Sequence, residues 1–182
     1  MLPDKKLWSD FIFGDIEAYR ILYETYIQEL LKYGSHFSTD EGMIKDCIHD
    51  LFIDLHHYRS NLKKTDNIKA YLFVSLKRII LKRNRQKERR KQLDIDTLPF
   101  DYFLSVDDNA VAAMEDQRLK YMESAMKKLS ARQREAIYLR FVSNLSYDEL
   151  SKVLHISYQA SRNLIYRGME KLRDSISSSV SA

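Results

Sequence analysis

From residue 15 onward, apolar side chains recur every three or four positions. Tyr19, Leu22, Tyr23, Tyr26, Leu30 and Tyr33 make one stripe, which predicts an amphipathic helix capped by Asp15 and ended by Gly34-Ser35. Met43, Cys47, Ile48, Leu51, Phe52 and Leu55 repeat the spacing and predict a second helix. Asp46, Asp50 and Asp54 fall on another face of it, four residues apart, where like charges repel by roughly a few tenths of a kcal/mol per pair. An acidic ridge that costs stability points to a partner, although a solvated face is the commoner explanation for any one of these residues. Arg59 to Asn67 reads as a polar loop, with Asp66 or Asn67 able to cap a third helix. That helix places Ile68, Leu72, Leu76, Ile79 and Ile80 on its apolar side. The stripe stops near Leu81, so the continuation through Lys82, Arg83, Arg85, Lys87, Arg89, Arg90 and Lys91 is expected to project from the core.

The pattern changes over residues 92–113, which hold five Asp, Pro99 and no Lys or Arg, and read as an interdomain linker. Helical periodicity then resumes. Met114 to Leu129 form one predicted helix with Leu119, Met122 and Met126 toward the core. Ser130 and Gln133 make a capping box ahead of Ala136, Ile137 and Leu139, and Ser146 and Glu149 make a second ahead of a short helix ending near Leu154. His155-Ile156 is the turn. Ser157 caps a last helix from Tyr158 to about Arg173, and the chain is expected to fray from Ser175. The expected fold is all-α: two small helical domains, 1–91 and 114–182, joined by a flexible acidic linker, 92–113.

Composition narrows the function classes. The chain of 182 residues is 45% hydrophobic and 31% charged, enough for a packed core. Four Gly and two Pro argue against a turn-rich β-fold, and one Cys excludes a disulfide framework, a multi-cysteine zinc site and a CxxC redox motif. No apolar run reaches the roughly 18 residues that cross a bilayer, and Met1 to Asp10 holds no apolar signal core, so a cytoplasmic protein without membrane insertion is expected. The net charge of +4 conceals segregation: −3 over 1–76, +8 over 77–91, −5 over 92–113 and +4 over 114–182. A +8 block within fifteen residues attracts polyanions, although charge alone fits a solvated helix face equally well.

A short helix, a tight turn and a second helix describe a helix-turn-helix, whose second helix enters the DNA major groove. Here its buried side would be Ser161, Leu164, Ile165, Gly168 and Leu172. Its outer side would be Tyr158, Gln159, Arg162, Asn163, Tyr166 and Arg167, with Ser157 at the start. Arginine suits guanine, and Gln and Asn suit adenine, so Gln159 and Arg162 are the foremost base-reading candidates.

Taken in order, these segments resemble the extracytoplasmic function (ECF) subfamily of sigma-70 RNA polymerase sigma factors. Gly14-Asp15, Ala18-Tyr19 and Leu22-Tyr23 are similar to the family's opening GD..AF..LY. Asp46 through Leu55 resembles the core of region 2.2, and Ala70-Tyr71-Leu72-Phe73 before the basic block resembles regions 2.3 and 2.4. Leu129-Ser130 with Arg134, Ser146 through Leu150, Ile156-Ser157, Arg167-Gly168 and Leu172-Arg173 resemble region 4. His49 stands where the family usually has Gln, Arg78 where Asn is common, Ala160-Ser161 in place of Thr-Val, and Gly168 in place of Ala.

The resemblance implies a protein with no active site, metal or cofactor that lends promoter recognition to the polymerase core. Asp46, His49, Asp50, Phe52 and Asp54 would meet the core, at the β′ subunit and with β alongside. Asn61, Lys63, Lys64 and Asn67 would capture a base flipped from the −10 element, while Lys77, Arg78, Lys82, Arg83 and Arg85 hold phosphates. Ser157, Tyr158, Gln159, Arg162, Asn163, Tyr166 and Arg167 would read the −35 element. The linker would cross the polymerase's nucleic-acid channel, and an anti-sigma factor, often membrane-bound in this family, would occlude these surfaces. The main alternative is a two-domain helix-turn-helix regulator whose front domain binds a ligand or dimerises, which leaves the separate +8 block unexplained. A metal enzyme built on His49, Asp50, His56 and His57 is disfavoured, because adjacent histidines point apart on a helix and no HExxH occurs. A membrane-surface role is disfavoured because no apolar face adjoins the basic block.

Overall fold

The computed structural model describes residues 4–65, 67–87, 122 and 124–180, and among them there is no strand. The chain divides into two compact units, 1–95 and 96–182. In the first unit, α1 (Asp4–Ile12), α2 (Ile16–Ser35), α3 (Glu41–His57) and α4 (Ile68–Lys87) pack around one core, with a 3-10 turn at Arg59–Asn61. Each of the last three helices starts on a side-chain cap. The Asp15 carboxylate accepts from the Glu17 and Ala18 N–H groups, Asp40 from Met43, and Asn67 Oδ1 from Ala70 at 2.6 Å. Asp66, the other candidate cap, lies outside the described residues.

Most of each predicted stripe is buried, although Tyr23 is 39% exposed and Tyr19 and Ile79 are half-buried. Met43, Cys47, Ile48, Leu51, Phe52 and Leu55 from α3 meet Leu22, Tyr26, Leu30 and Tyr33 from α2 and Ile68, Leu72, Leu76 and Ile80 from α4. Tyr33 stacks on Phe73 at 4.4 Å between ring centres. α2 ends at Ser35, as the Gly34-Ser35 pair predicts, and Gly34 also admits α3. A Cβ at Gly34 would stand 2.6 Å from Ile44 Cγ2. The left-handed position is Gly14, φ +94°, where the chain leaves α1 and turns into the Asp15 cap. The helix α1 itself was not anticipated. Leu7, Trp8 and Phe11 carry the helical spacing and are almost wholly buried.

In the second unit a helical turn at 124–127 leads to α5 (Ala131–Ile137), a π-helical turn (Tyr138–Val142), α6 (Tyr147–Leu154) and α7 (Tyr158–Val180). Both predicted capping boxes form in full. Two expectations are corrected. Met122 is 43% exposed rather than in the core, whereas Ala125, Met126 and Leu129 are buried. The last helix does not fray from Ser175 but continues to Val180, because Ser175 prolongs the buried stripe of Ile165 and Leu172 and is itself buried. Leu119, the linker 92–113 and the basic residues 89–91 lie outside the described residues.

Two glycines give opposite predictions in urea unfolding. Gly34→Ala overpacks the α2–α3 crossing and costs about 1–3 kcal/mol. Gly42→Ala is helical and exposed, with only Asp40 Oδ1 nearby at 3.5 Å, and leaves stability unchanged or raises it by up to about 1 kcal/mol.

Candidate nucleic-acid interface

The second unit presents α7 through the turn that precedes it. Ser146 Oγ accepts from Glu149 N–H, and Glu149 Oε2 accepts from Ser146 N–H at 2.5 Å, which starts α6 at a fixed residue. α6 ends on His155 in the left-handed region, φ 52°. There the His155 N–H reaches Lys152 O at 3.4 Å and the Ile156 N–H reaches Ser151 O at 3.0 Å, the paired bonds of a Schellman ending. Ser157 Oγ then accepts from Ala160 N–H at 3.1 Å and starts α7. Arg132 donates to Leu154 O at 3.2 Å, so the α6 terminus is also tied to α5.

Ser161 and Gly168 fix how α7 is rotated. Ser161 is fully buried, and its single hydroxyl hydrogen is within reach of Tyr158 O at 2.6 Å and of Tyr147 O on α6 at 3.3 Å. A Cβ at Gly168 would lie 3.0 Å from Ile137 Cδ1, so glycine sets how closely α7 approaches α5. With Ser161, Ile165, Gly168 and Leu172 turned inward, Tyr158, Gln159, Arg162, Asn163, Tyr166 and Arg167 are all exposed, as the sequence predicts. Gln159, Arg162, Asn163 and Tyr166 fall within an arc of about 100° at 3.6 residues per turn. Gln159 Nε2 donates to Asn163 Oδ1 at 3.4 Å. A hydrogen bond to Glu170 raises the Tyr166 phenol pKa, so this ring meets solvent as a neutral donor and acceptor. This is a polar row on a rigid helix, the form that reads base edges.

The first unit carries the cationic face. Arg78, Lys82 and Arg85 are exposed on α4, and Lys77 Nζ lies 5.6 Å from the Phe37 ring centre. Arg83 is different. It reaches back to α3 and pairs with Asp50 at 2.5 Å and Asp46 at 3.5 Å. The self-repelling acidic ridge thus has an internal counter-ion from the basic block, and the structure brings together residues expected at two separate surfaces. Asn61, Lys63 and Lys64 are exposed in the loop before α4, whereas the Asn67 side-chain oxygen serves as a helix cap. Phe52 does not belong to any surface. It is 2% exposed and packs edge-on against Tyr23 at 4.9 Å and Tyr19 at 6.1 Å, because it falls on the core stripe of α3.

The exposed apolar side chain on the ridge is instead Ile53, 50% accessible. With Ile16, Tyr19, His56 and Arg59 it lines a cleft of about 420 Å³. Sequence reasoning missed this surface, although Ile53 stands between Phe52 and Asp54 and off the core spacing of Ile48, Leu51 and Leu55.

The Sigma-70, region 4 family model matches residues 119–172, which include α5, α6 and the whole exposed row of α7. The second unit thus carries a match to Sigma-70 region 4. The similarity of the chain extends well beyond region 4. The ECF RNA polymerase sigma factor SigX of Bacillus subtilis (strain 168) is 21% identical over 160 residues, 86% of this chain and 82% of its own. The RNA polymerase sigma factor SigZ of the same strain is 26% identical over 152 residues, 84% and 83% of the two chains. The fold matches CnrH in complex with the cytosolic domain of CnrY, with a TM-score of 0.63 at 21% identity over 97% of this chain and 98% of that one. It also matches the sigma factor RpoE in complex with the anti-sigma factor NepR from Bartonella quintana, with a TM-score of 0.63 at 17% identity over 89% and 98%. Every residue predicted to read the upstream element, Ser157 to Arg167, lies inside the region 4 match.

The Arg83 clasp sits a third exposed, so solvent screens it. A double-mutant cycle with Arg83→Ala and Asp50→Asn, followed by urea unfolding, should return a coupling of no more than about 1 kcal/mol that shrinks in high salt. A coupling several times larger would mean that the pair supports the fold itself.

Proposed function

We propose that this chain is an ECF-type sigma factor that binds the RNA polymerase core and directs initiation at promoters by recognising their −10 and −35 elements. The observation that carries this reading is the exposed row of Gln159, Arg162, Asn163 and Tyr166 on a helix-turn-helix inside the region 4 match. Arg162 donates in a fork suited to guanine, and Gln159 and Asn163 suit adenine. Tyr158 and Arg167 flank the row toward the phosphates.

The first unit supplies the remaining functions. Asp46, His49, Asp50 and Asp54, with Ile53 and its cleft, form the face for the polymerase core, at β′ and with β alongside. Carboxylates at its rim steer a basic partner face, and the apolar centre supplies the burial. Asn61, Lys63, Lys64 and Asn67 hold an unpaired −10 base. Lys77, Arg78, Lys82 and Arg85 follow the phosphates, and Arg83 joins them when a partner takes over its carboxylates. No step requires a catalytic group or cofactor. The domain boundaries follow this division: residues 1–91 for the core and the −10 element, 92–113 as connector, 114–182 for the −35 element. An anti-sigma factor that covers these faces completes the proposal, in keeping with the complexes formed by its structural neighbours.

Purified core polymerase plus this chain should start RNA at a cognate promoter with no other sigma present; a helix-turn-helix regulator would leave the core silent. Replacing Arg162 and Asn163 by Ala should abolish −35-dependent initiation, at about 1–3 kcal/mol per lost base contact, with core binding intact. Asp46→Lys with Asp50→Lys should instead weaken core binding and spare the isolated −35 contact. Interchanged effects would overturn the assignment of the two units.

A further inference from the structure

The loop between the 3-10 turn and α4 is pinned at both ends by its own residues. The Asn61 N–H bonds to Tyr58 O at 2.9 Å, and the Leu62 N–H to Arg59 O at 3.2 Å. At the far end, Thr65 Oγ1 accepts from Asn67 N–H at 3.1 Å and lies 3.2 Å from Asn67 O, and Asn67 caps α4. Between these ends the backbone is held from outside, by the helix that sequence reasoning missed. The Trp8 indole N–H donates to Lys63 O at 3.0 Å, 55 residues along the chain. The indole is 1% exposed and sits against Tyr71 at 5.3 Å and Phe11 at 5.5 Å. Its ring position is therefore set by the core, and its one polar atom is spent on the loop. Tryptophan has no acceptor and only this donor. Fixing the Lys63 carbonyl leaves the Lys63 and Lys64 side chains outside, where both are exposed.

We infer that Trp8 is a positioning residue for single-strand capture: its indole N–H holds the 62–65 backbone in the shape from which Asn61, Lys63 and Lys64 grip an unpaired base and its phosphate. The inference rests on the reading of this loop given under Proposed function. A loop ordered in advance avoids the entropy cost of ordering upon binding. A phenylalanine would fill much of the same pocket and leave the carbonyl without its donor.

The test uses the full chain bound to core polymerase and a randomised single strand of about twelve nucleotides. Trp8 is replaced by Phe and, to keep the ring shape, by benzothienylalanine, which has sulfur where the indole has N–H. Both should weaken single-strand binding by about fivefold, the order of one lost hydrogen bond. Both should speed amide exchange in 62–65, and both should leave core affinity and binding of a −35 duplex unchanged. Unchanged single-strand binding by the benzothienyl variant, or an equal loss in all three binding assays, overturns the positioning role. Lys63→Ala and Lys64→Ala separate the two readings. If they weaken the single strand and the Trp8 variants do not, only the role of Trp8 fails. If they too are without effect, or if the unmodified complex ignores the single strand, the loop is not the base-capturing element.

Discussion

The seating of α7 is the constraint on which the recognition surface depends. A helix presents whichever side its neighbours leave open, and here the neighbours leave no choice. The fully buried Ser161 hydroxyl must find a carbonyl, and those of Tyr158 and Tyr147 are within reach. Gly168 brings the axis close to Ile137, where any larger residue would crowd Cδ1. Gly168 costs roughly 0.5–1 kcal/mol of helix propensity. The close approach of α7 to α5 is the compensating gain. The same two contacts turn Arg162 and Asn163 to solvent, so core packing and the exposed polar row are settled by one rotation.

The first unit rests on a different balance. Its α4 changes along its length from a buried apolar stripe to a cationic surface, and the change occurs where Leu81 gives way to Lys82 and Arg83. Arg83 then folds back on Asp46 and Asp50. Those carboxylates repel each other at four-residue spacing, and a shared guanidinium relieves that repulsion. Because the pair remains solvent-accessible it is weak, and a basic partner face can displace Arg83 at little cost. Asp46 and Asp50 are thus satisfied within the chain by a contact that solvent keeps weak.

How much of this was legible depended on whether the signal was local. The two capping boxes, the cap at Asp15 and the turn at His155-Ile156 are short-range devices readable from spacing alone, while the cap of α4 was narrowed to Asp66 or Asn67. So was the division of α7 into an inner and an outer face. What failed needed a third element. Phe52 sits beside the acidic ridge in sequence, but Tyr19 and Tyr23 arrive from α2 to bury it. Met122 fits a helical spacing that the packed structure does not use. Gly34-Ser35 closes α2 as expected, but the contact of Gly34 with Ile44 needed α3. Trp8 lay in a short segment read only for its lack of a signal core, and its partner, the Lys63 carbonyl, is a backbone atom that no sequence pattern marks. The Arg83 clasp was hidden for the same reason: opposite charges were evident, and their meeting required the packing of α3 on α4.

The two-module account can be tested by placing a DNA-cleaving probe on each unit. Cys47 is fully buried, so a cysteine introduced at position 64 or 163 can be labelled selectively with a chelated iron. With the labelled chain bound to core polymerase at its promoter, cleavage from position 163 should fall near the −35 element and cleavage from position 64 near the −10 element. Cuts from both positions within one element, or no promoter-localised cutting from either, would contradict the account.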